Sequence, residues 1–211
     1  MVVVDDDGHA RCPWALSAPE YRAYHDDEWG RPVVGDAALY ERLCLEGFQS
    51  GLSWLTILRK REAFRAAFAG FDPSAVAAFG PADVERLLAD AAIVRHRGKI
   101  EAAIANARAT LSVIESEGSL GALVWRFEPD SPPRAPASLA DIPASTPASV
   151  ALARELRRRG FRFVGPTTAY ATMQAAGLVD DHVEGCYARE AVESARAALV
   201  RPARRASGSS G

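Results

Sequence analysis

The chain has 211 residues, of which 48% are hydrophobic and 25% are charged, and its net charge at pH 7 is −2. This composition is typical of a globular protein with enough residues for one large core, and it excludes a largely disordered chain. The small net charge excludes a uniformly basic surface, so any nucleic-acid binding has to come from local clusters.

The cysteine content and the hydropathy pattern indicate the compartment. The chain has three cysteines, no secretory leader and no apolar run near the length of a membrane span. These features favour a reducing environment over a disulfide framework, so we expect a cytoplasmic protein with no membrane partner. Metal binding is then the better use for cysteine, although Cys44, between Leu43 and Leu45, is expected to be a buried apolar residue.

Helical periodicity dominates the chain, and we predict an all-α fold. Residues 1–10 are acidic and irregular and are expected to be disordered. A first helix is predicted over about 37–46, after Asp36 as the N-cap. A second helix opens at Pro81, and the longest runs over about 98–117.

The second half of the chain contains a proline-rich segment followed by two further predicted helices. Residues 128–145 are predicted to form a surface loop, because prolines block continued helix. Thr146 caps a helix that ends at Gly160, and another helix begins at about Thr167. We predict one domain over 11–190, followed by a C-terminal helix or flexible tail over 191–211.

Four residues near the two ends have the side chains of a Cys2His2 zinc site: Cys12, His25, His182 and Cys186. The last two are four positions apart, which places both on one face of a helical turn. Each pair taken alone is equally well explained by a buried histidine and a core cysteine, so the residues leave both interpretations open.

Aromatic residues are concentrated near the N-terminus: Trp14, Tyr21, Tyr24 and Trp29 lie within sixteen residues, and Trp54 follows. They could form part of the core, or a pocket that stacks a planar ligand such as a nucleobase. Polar groups distinguish the two interpretations. Glu46 lies among apolar residues at a helix end, although from the residues alone a glutamate that faces water is the simpler interpretation.

Two turns have features of a nucleic-acid contact. The segment Gln49-Ser50-Gly51-Leu52 is a short turn with one apolar tip, which could wedge into a base stack. Backbone amides at Gly165 and at the start of the next helix, with Thr167 and Thr168, could bind a phosphate. The Arg95–Lys99 cluster is interpreted as a solvated helix face.

Five segments together resemble the bacterial type-I 3-methyladenine DNA glycosylases over about residues 12–186, and they occur in the order found in that family. They are Cys12–Trp14, Tyr21–Gly30, Cys44–Trp54, Arg95–Ile100 and Gly160–Gly165. The resemblance implies the helix-hairpin-helix glycosylase fold, with a catalytic cleft between two helical lobes and one structural zinc ion that joins the N- and C-terminal segments.

The resemblance also implies roles for individual residues. It assigns the zinc ligands to Cys12, His25, His182 and Cys186, and the carboxylate that hydrogen-bonds the excised base to Glu46. Base-contacting and wall positions fall on Trp14, Tyr21, Tyr24, Trp29 and Trp54. DNA contacts fall on Gln49, Gly51, Leu52, Phe163, Gly165, Thr167 and Thr168.

The implied activity is hydrolytic removal of 3-methyladenine from double-stranded DNA. The enzyme would flip out the damaged nucleotide, release the free base and leave an abasic site, as a monomer without a lyase step. The main alternative is a helix-hairpin-helix DNA-binding module with structural zinc and no catalysis. A third hypothesis, a zinc-stabilised protein-interaction domain, gives no reason for Glu46 to lie among aromatic residues.

Two positions depart from the family pattern. Asp180 stands where the family usually has asparagine, and we interpret it as a structural cap or a solvent-facing residue rather than a catalytic carboxylate. Ala171 stands where a family member has serine, so no role of that hydroxyl transfers to this chain.

Overall fold

The computed structural model describes residues 1–203. Within that range the chain is mostly helical, as the sequence predicts, with ten α-helices and one small sheet. The helices are α1 Pro19–Asp27, α2 Asp36–Gln49, α3 Trp54–Ala67, α4 Pro73–Ala77, α5 Pro81–Ala89, α6 Arg97–Glu117, α7 Leu120–Val124, α8 Pro147–Arg158, α9 Pro166–Ala175 and α10 Ala188–Ala198.

The N-terminal segment is ordered, so the prediction of a disordered stretch over 1–10 is wrong. Strand β1 (Val3–Val4) pairs antiparallel with β2 (Ala10–Arg11). The hairpin encloses the Arg11 side chain, which is 2% exposed and donates hydrogen bonds to the carboxylates of Asp5, Asp7 and Asp26. Acidic residues that pair with a buried cation leave no periodicity in the sequence, which is why this contact was not predicted.

Helix α2 lies at the centre of the molecule, where it packs against α3, α6, α7 and α9. Its buried residues Leu39, Tyr40, Leu43 and Phe48 belong to the main hydrophobic core. Cys44 is buried in the same core, as predicted.

A second, smaller hydrophobic cluster joins the two ends of the chain. It contains Cys12, Tyr24, Trp29, Val183, Cys186 and Ala188. Trp54 packs against both the main core and this cluster, so the start of α3 links them.

Of the two predicted N-caps, Thr146 is confirmed and Asp36 is wrong. Helix α8 begins after Thr146, whose side chain accepts a hydrogen bond from the Ser149 amide. The predicted N-cap Asp36 is instead the first residue of α2, after Gly35. The Asp36 carboxylate accepts a hydrogen bond from the Leu120 amide, so it serves a contact with α7 that local sequence does not reveal.

The predicted surface loop over 128–145 has no α-helix or strand, and it contains one 3-10 turn at Leu139–Asp141. Helix α10 covers Ala188–Ala198 and so crosses the boundary that the sequence predicted at residue 190. Residues 204–211 of the predicted C-terminal helix or flexible tail lie outside the described residues. In the described part of the chain, no helix combines the length and apolar character that a membrane crossing requires.

Candidate active site

Residues from six segments of the fold line a pocket of about 250 Å³. Helix α1 contributes Tyr21 and Tyr24, the last turn of α2 contributes Glu46 and Gln49, and α3 begins with Trp54. The wall is completed by two tryptophans that flank α1 and by two residues of α9. These are Trp14, Trp29, Ala171 and Gln174.

All five aromatic residues that the sequence assigns to the pocket therefore line it. Trp14 contacts Tyr21 and Trp29 edge to face, with ring centroids 5.6 Å and 5.1 Å apart. The ring of Tyr24 lies 5.5 Å from that of Trp54. The buried indole Nε1 of Trp54 has no hydrogen-bond partner among residues 1–203, so the pocket region holds a free donor.

Glu46 is 6% exposed, which corrects the simpler interpretation of a glutamate that faces water. Among the described residues, no group hydrogen-bonds its carboxylate. Burial raises the pKa of Glu46 to about 8, against the opposing effect of the Arg42 charge. Burial also raises the pKa of Tyr24, and the nearby Glu46 charge adds to that shift. The pocket therefore holds a carboxyl group whose ionisation is unfavourable until a positive partner enters.

Two pocket residues on α9 were missed by the sequence-based prediction. Ala171 was singled out only as a departure from the family pattern, and Gln174 was not considered. They are three positions apart on α9 and so lie on one face of that helix. The helical spacing from Ala171 could have indicated Gln174, but only once α9 was known to pack against α2.

The turn after α2 lies beside the pocket, and a buried lysine holds it. The Lys99 side chain is 8% exposed and donates to the carbonyls of Phe48 and Ser50, at 2.9 Å and 2.5 Å. The interpretation of Lys99 as part of a solvated face is wrong. The turn places Gly51 at a φ of 80°, in the left-handed region that favours glycine, and leaves Leu52 41% exposed.

The connection between α8 and α9 forms a tight hairpin. Asn106 on α6 holds it through its side-chain amide, which donates to the Arg162 carbonyl and accepts from the Arg162 backbone amide, at 3.2 Å and 2.7 Å. Phe163 is 43% exposed at a φ of 55°, which is strained for a non-glycine residue. A methyl group added at Gly47 would lie 3.6 Å from the Phe163 Cβ, so the hairpin tip adjoins the pocket end of α2.

The remaining predicted DNA contacts are distributed along the same hairpin. Gly165 is the N-cap of α9, and Thr167 and Thr168 lie in its first turn. Thr167 is exposed, whereas Gly165 and Thr168 are half-buried. This helix start points free backbone amides outward, which suits an anion.

Three of the four predicted zinc ligands form one buried cluster. The ligand atoms of Cys12, His25 and Cys186 all lie within 4.8 Å of one another. The fourth predicted ligand, His182, lies beside them, with its ring centroid 4.8 Å from that of His25. His182 is fully buried, and its Nε2 has no hydrogen-bond partner among the described residues.

The surroundings of this cluster fit a metal ion. Each histidine is held through Nδ1 by a carboxylate, His25 by Asp26 at 2.8 Å and His182 by Asp180 at 2.7 Å. Such partners fix the ring so that Nε2 is free to coordinate. A hydrogen bond from the Cys12 thiol lowers the pKa of the Cys186 thiol, which favours the thiolate that a metal requires. A buried, unpartnered Nε2 beside two thiols is costly without such an ion.

Asp180 is therefore a structural residue, and the predicted solvent-facing alternative is wrong. Its side chain is 1% exposed and accepts from both the backbone amide and the ring of His182. It is not among the residues that line the base pocket.

Comparison with known proteins places the chain in a family. The model of the methyladenine glycosylase family matches residues 14–190. DNA-3-methyladenine glycosylase 1 of Escherichia coli is 52% identical over 177 residues, which are 83% of this chain and 95% of the relative.

Solved structures agree with this match. A crystal structure of 3-methyladenine DNA glycosylase I superposes with a TM-score of 0.81 at 53% identity, covering 84% of this chain and 98% of that chain. A structure of 3-methyladenine DNA glycosylase I from Staphylococcus aureus, which concerns 3-methyladenine recognition, has a TM-score of 0.81 at 35% identity and covers 85% of this chain and 96% of that chain. The chain thus belongs to the methyladenine glycosylase family.

Proposed function

We propose that this chain is a DNA glycosylase that hydrolyses the bond between 3-methyladenine and its deoxyribose and leaves an abasic site. One observation carries the proposal: Glu46, buried and without a hydrogen-bond partner among residues 1–203, faces an aromatic pocket of about 250 Å³. That volume is below the roughly 300–1,000 Å³ of most small-molecule pockets, which suits a single base.

The chemistry of the substrate explains why this pocket suffices. Methylation at N3 makes the base cationic within DNA, so the base departs as a neutral molecule and little acid catalysis is needed. The rings of Tyr24 and Trp54 would stack on the base, and Glu46 would hydrogen-bond its polar edge. Water then attacks the sugar carbon. No lysine lines the pocket, so a lyase step through a Schiff base has no candidate there.

The DNA would bind across the hairpin and the turn after α2. We propose that Leu52 fills the space that the flipped nucleotide leaves in the duplex. Phe163 and the amides at the start of α9 would contact the backbone beside the lesion. The closeness of Phe163 to Gly47 supports one continuous surface from the hairpin to the pocket.

We also propose that Cys12, His25, His182 and Cys186 hold one structural zinc ion. Four protein ligands leave no open position, so the ion would supply rigidity rather than an activated water. The buried free Nε2 of His182 supports this ligand set. Metal analysis of the purified protein should give one zinc per chain, and a chelator should lower its melting temperature.

We also propose that the protein acts in the cytoplasm as a monomer.

A base-release assay tests the activity. Methylated duplex DNA is incubated with the protein, and released bases are separated by chromatography. We expect free 3-methyladenine, and a large loss of release with Glu46→Gln, while the control Glu62→Gln on α3, with a side chain 80% exposed, keeps it. A non-catalytic DNA-binding module would bind the duplex in a salt-dependent way and release no base, which would refute the proposal.

A further inference from the structure

Asp181 is a buried carboxylate behind the base pocket, and no role predicted from the sequence includes it. Its side chain is 5% exposed. Its Oδ2 accepts hydrogen bonds from the Tyr170 hydroxyl at 2.6 Å and from Nε2 of Gln174 at 2.7 Å. Tyr170 and Gln174 are four positions apart on α9, one turn of helix, so both side chains reach the same carboxylate.

The carboxylate determines which way the Gln174 amide points. The hydrogen bond runs from Nε2 of Gln174 to Oδ2 of Asp181, so the NH2 group of the amide faces the carboxylate. The carbonyl oxygen Oε1 then lies on the other side of the amide. Among residues 1–203, no group donates to that oxygen, and Gln174 is part of the pocket wall. The wall therefore presents a hydrogen-bond acceptor of fixed orientation.

We propose that Asp181 is a positioning residue that holds the Gln174 side chain with its carbonyl oxygen toward the bound base. This oxygen accepts a hydrogen bond from the exocyclic amino group of adenine and so selects adenine-type over guanine-type bases. Adenine carries an amino group at the position where guanine carries a carbonyl oxygen. With a guanine-type base, Oε1 of Gln174 would face the carbonyl oxygen of the base, so the two acceptors would repel each other and Oε1 would have no hydrogen-bond donor. The inference rests on the proposed function and specifies its substrate class.

Glu46 alone does not supply this selectivity. Burial raises its pKa to about 8, so near neutral pH it takes up a proton at little cost. A protonated carboxyl group can donate to a carbonyl oxygen as readily as an ionised one accepts from an amine. The Gln174 amide, held by Asp181, cannot reverse its polarity without losing the hydrogen bond at 2.7 Å.

A purely structural role for Asp181 makes a different prediction. In that case the carboxylate would only tie α9 to the segment after it, and loss of either partner would have the same consequence. Tyr170 lies on the side of Asp181 that lines a separate groove under the proline-rich loop, not in the base pocket. Tyr170→Phe therefore removes one hydrogen bond from Asp181 and leaves the Gln174 contact intact, which makes it the matched control.

The test measures selectivity within one reaction. Duplex DNA treated with a methylating agent carries both 3-methyladenine and 3-methylguanine, and the ratio of the two initial release rates does not depend on the amount of active enzyme. In Asp181→Asn, the introduced amide can donate to Oε1 of Gln174 and turn its NH2 group toward the pocket. We expect the ratio to fall about tenfold, the value of one good hydrogen bond. Gln174→Leu removes the acceptor and should lower the ratio by roughly threefold or more.

Tyr170→Phe should keep the ratio within about twofold of the wild-type value. Binding of the two free bases can be followed by tryptophan fluorescence, because Trp14 and Trp54 line the pocket. In Asp181→Asn and Gln174→Leu, the preference for 3-methyladenine over 3-methylguanine in these dissociation constants should fall, as the release ratio does. An unchanged ratio in both Asp181→Asn and Gln174→Leu overturns the inference, as does an equal fall in Tyr170→Phe. If the wild-type protein releases no 3-methyladenine, the proposed function itself fails, which separates the two results.

Discussion

The buried carboxyl group of Glu46 should make the stability of the protein depend on pH in a way that Glu46→Gln abolishes. Burial raises the pKa of Glu46 from its ordinary value of 4.5 to about 8. The folded protein thus holds this proton more tightly than the unfolded chain does. The stabilisation is complete below pH 4.5 and is lost as the pH rises through 8.

The size of the effect follows from the two pKa values. A tenfold change in proton affinity corresponds to about 1.4 kcal/mol, so the ionised form of Glu46 destabilises the folded state by at most about 5 kcal/mol at alkaline pH. Between pH 5 and pH 7 the contribution to the free energy of unfolding should fall by about 2 to 3 kcal/mol. Glutamine has nearly the shape of the protonated acid and cannot ionise, so the variant lacks this loss.

Urea denaturation at pH 5, 6, 7 and 8 measures the difference in free energy of unfolding between Glu46→Gln and wild type. Taking the difference removes the contributions of all other titrating groups, since these are common to both proteins. The advantage of the variant should grow with pH, while Glu62→Gln on the exposed face of α3 should run parallel to wild type. A difference that stays constant within about 0.5 kcal/mol would refute the argument that Glu46 is desolvated.

Three further predictions concern the surroundings of the pocket. Arg11→Ala removes the guanidinium that contacts Asp26 and should weaken retention of the proposed zinc ion against a chelator by up to about tenfold. Arg22 contacts the hairpin carboxylates but not Asp26, so Arg22→Ala should leave that retention unchanged. Lys99→Met leaves the carbonyls of Phe48 and Ser50 without their donor, and it should cost about 1 to 3 kcal/mol in urea denaturation and slow base release. Lys60→Met does the same to the carbonyls of Ala91 and Ala92, neither of which lines the pocket, and should keep the release rate. Equal rates in both variants would contradict this role of Lys99. Leu52→Ala should change the free energy of unfolding by less than about 0.5 kcal/mol, because the side chain is exposed. It should lower excision from duplex DNA roughly tenfold. Unimpaired excision would exclude Leu52 as the residue that fills the space left by the flipped nucleotide.

The sequence predicted the elements that local rules determine. Thr146 followed by proline predicted the start of α8, and the helical repeat of apolar residues predicted α6 to within one residue at its start. The aromatic cluster also predicted the pocket wall, because the family resemblance assigned every ring that the structure places there.

The features that the sequence did not predict all depend on contacts between distant segments. The residues alone favoured a Glu46 that faces water, and only the family resemblance assigned it to the pocket, because its burial depends on residues of α1, α3 and α9 around the end of α2. Gln174 becomes a pocket residue only through the same packing, and Asp181 reaches it across the loop after α9. The ordered N-terminus depends on Arg11, which is held by a carboxylate fifteen residues away.

The pocket and the cluster of Cys12, His25, His182 and Cys186 share walls, so the stability of the cluster affects the geometry of the pocket. Trp14 lines the pocket and lies 5.2 Å from the ring of His25, and Trp29 lines it and lies 4.7 Å from the ring of His182. Both rings lie between the base site and the cluster, so any displacement of the histidines moves the pocket wall. A stacked cation is what offsets the cost of ionising Glu46 in this apolar setting. Selectivity for a positively charged base therefore depends on two features. Ionisation of Glu46 is unfavourable in the empty pocket, and the cluster keeps the rings of Trp14 and Trp29 in place around the pocket.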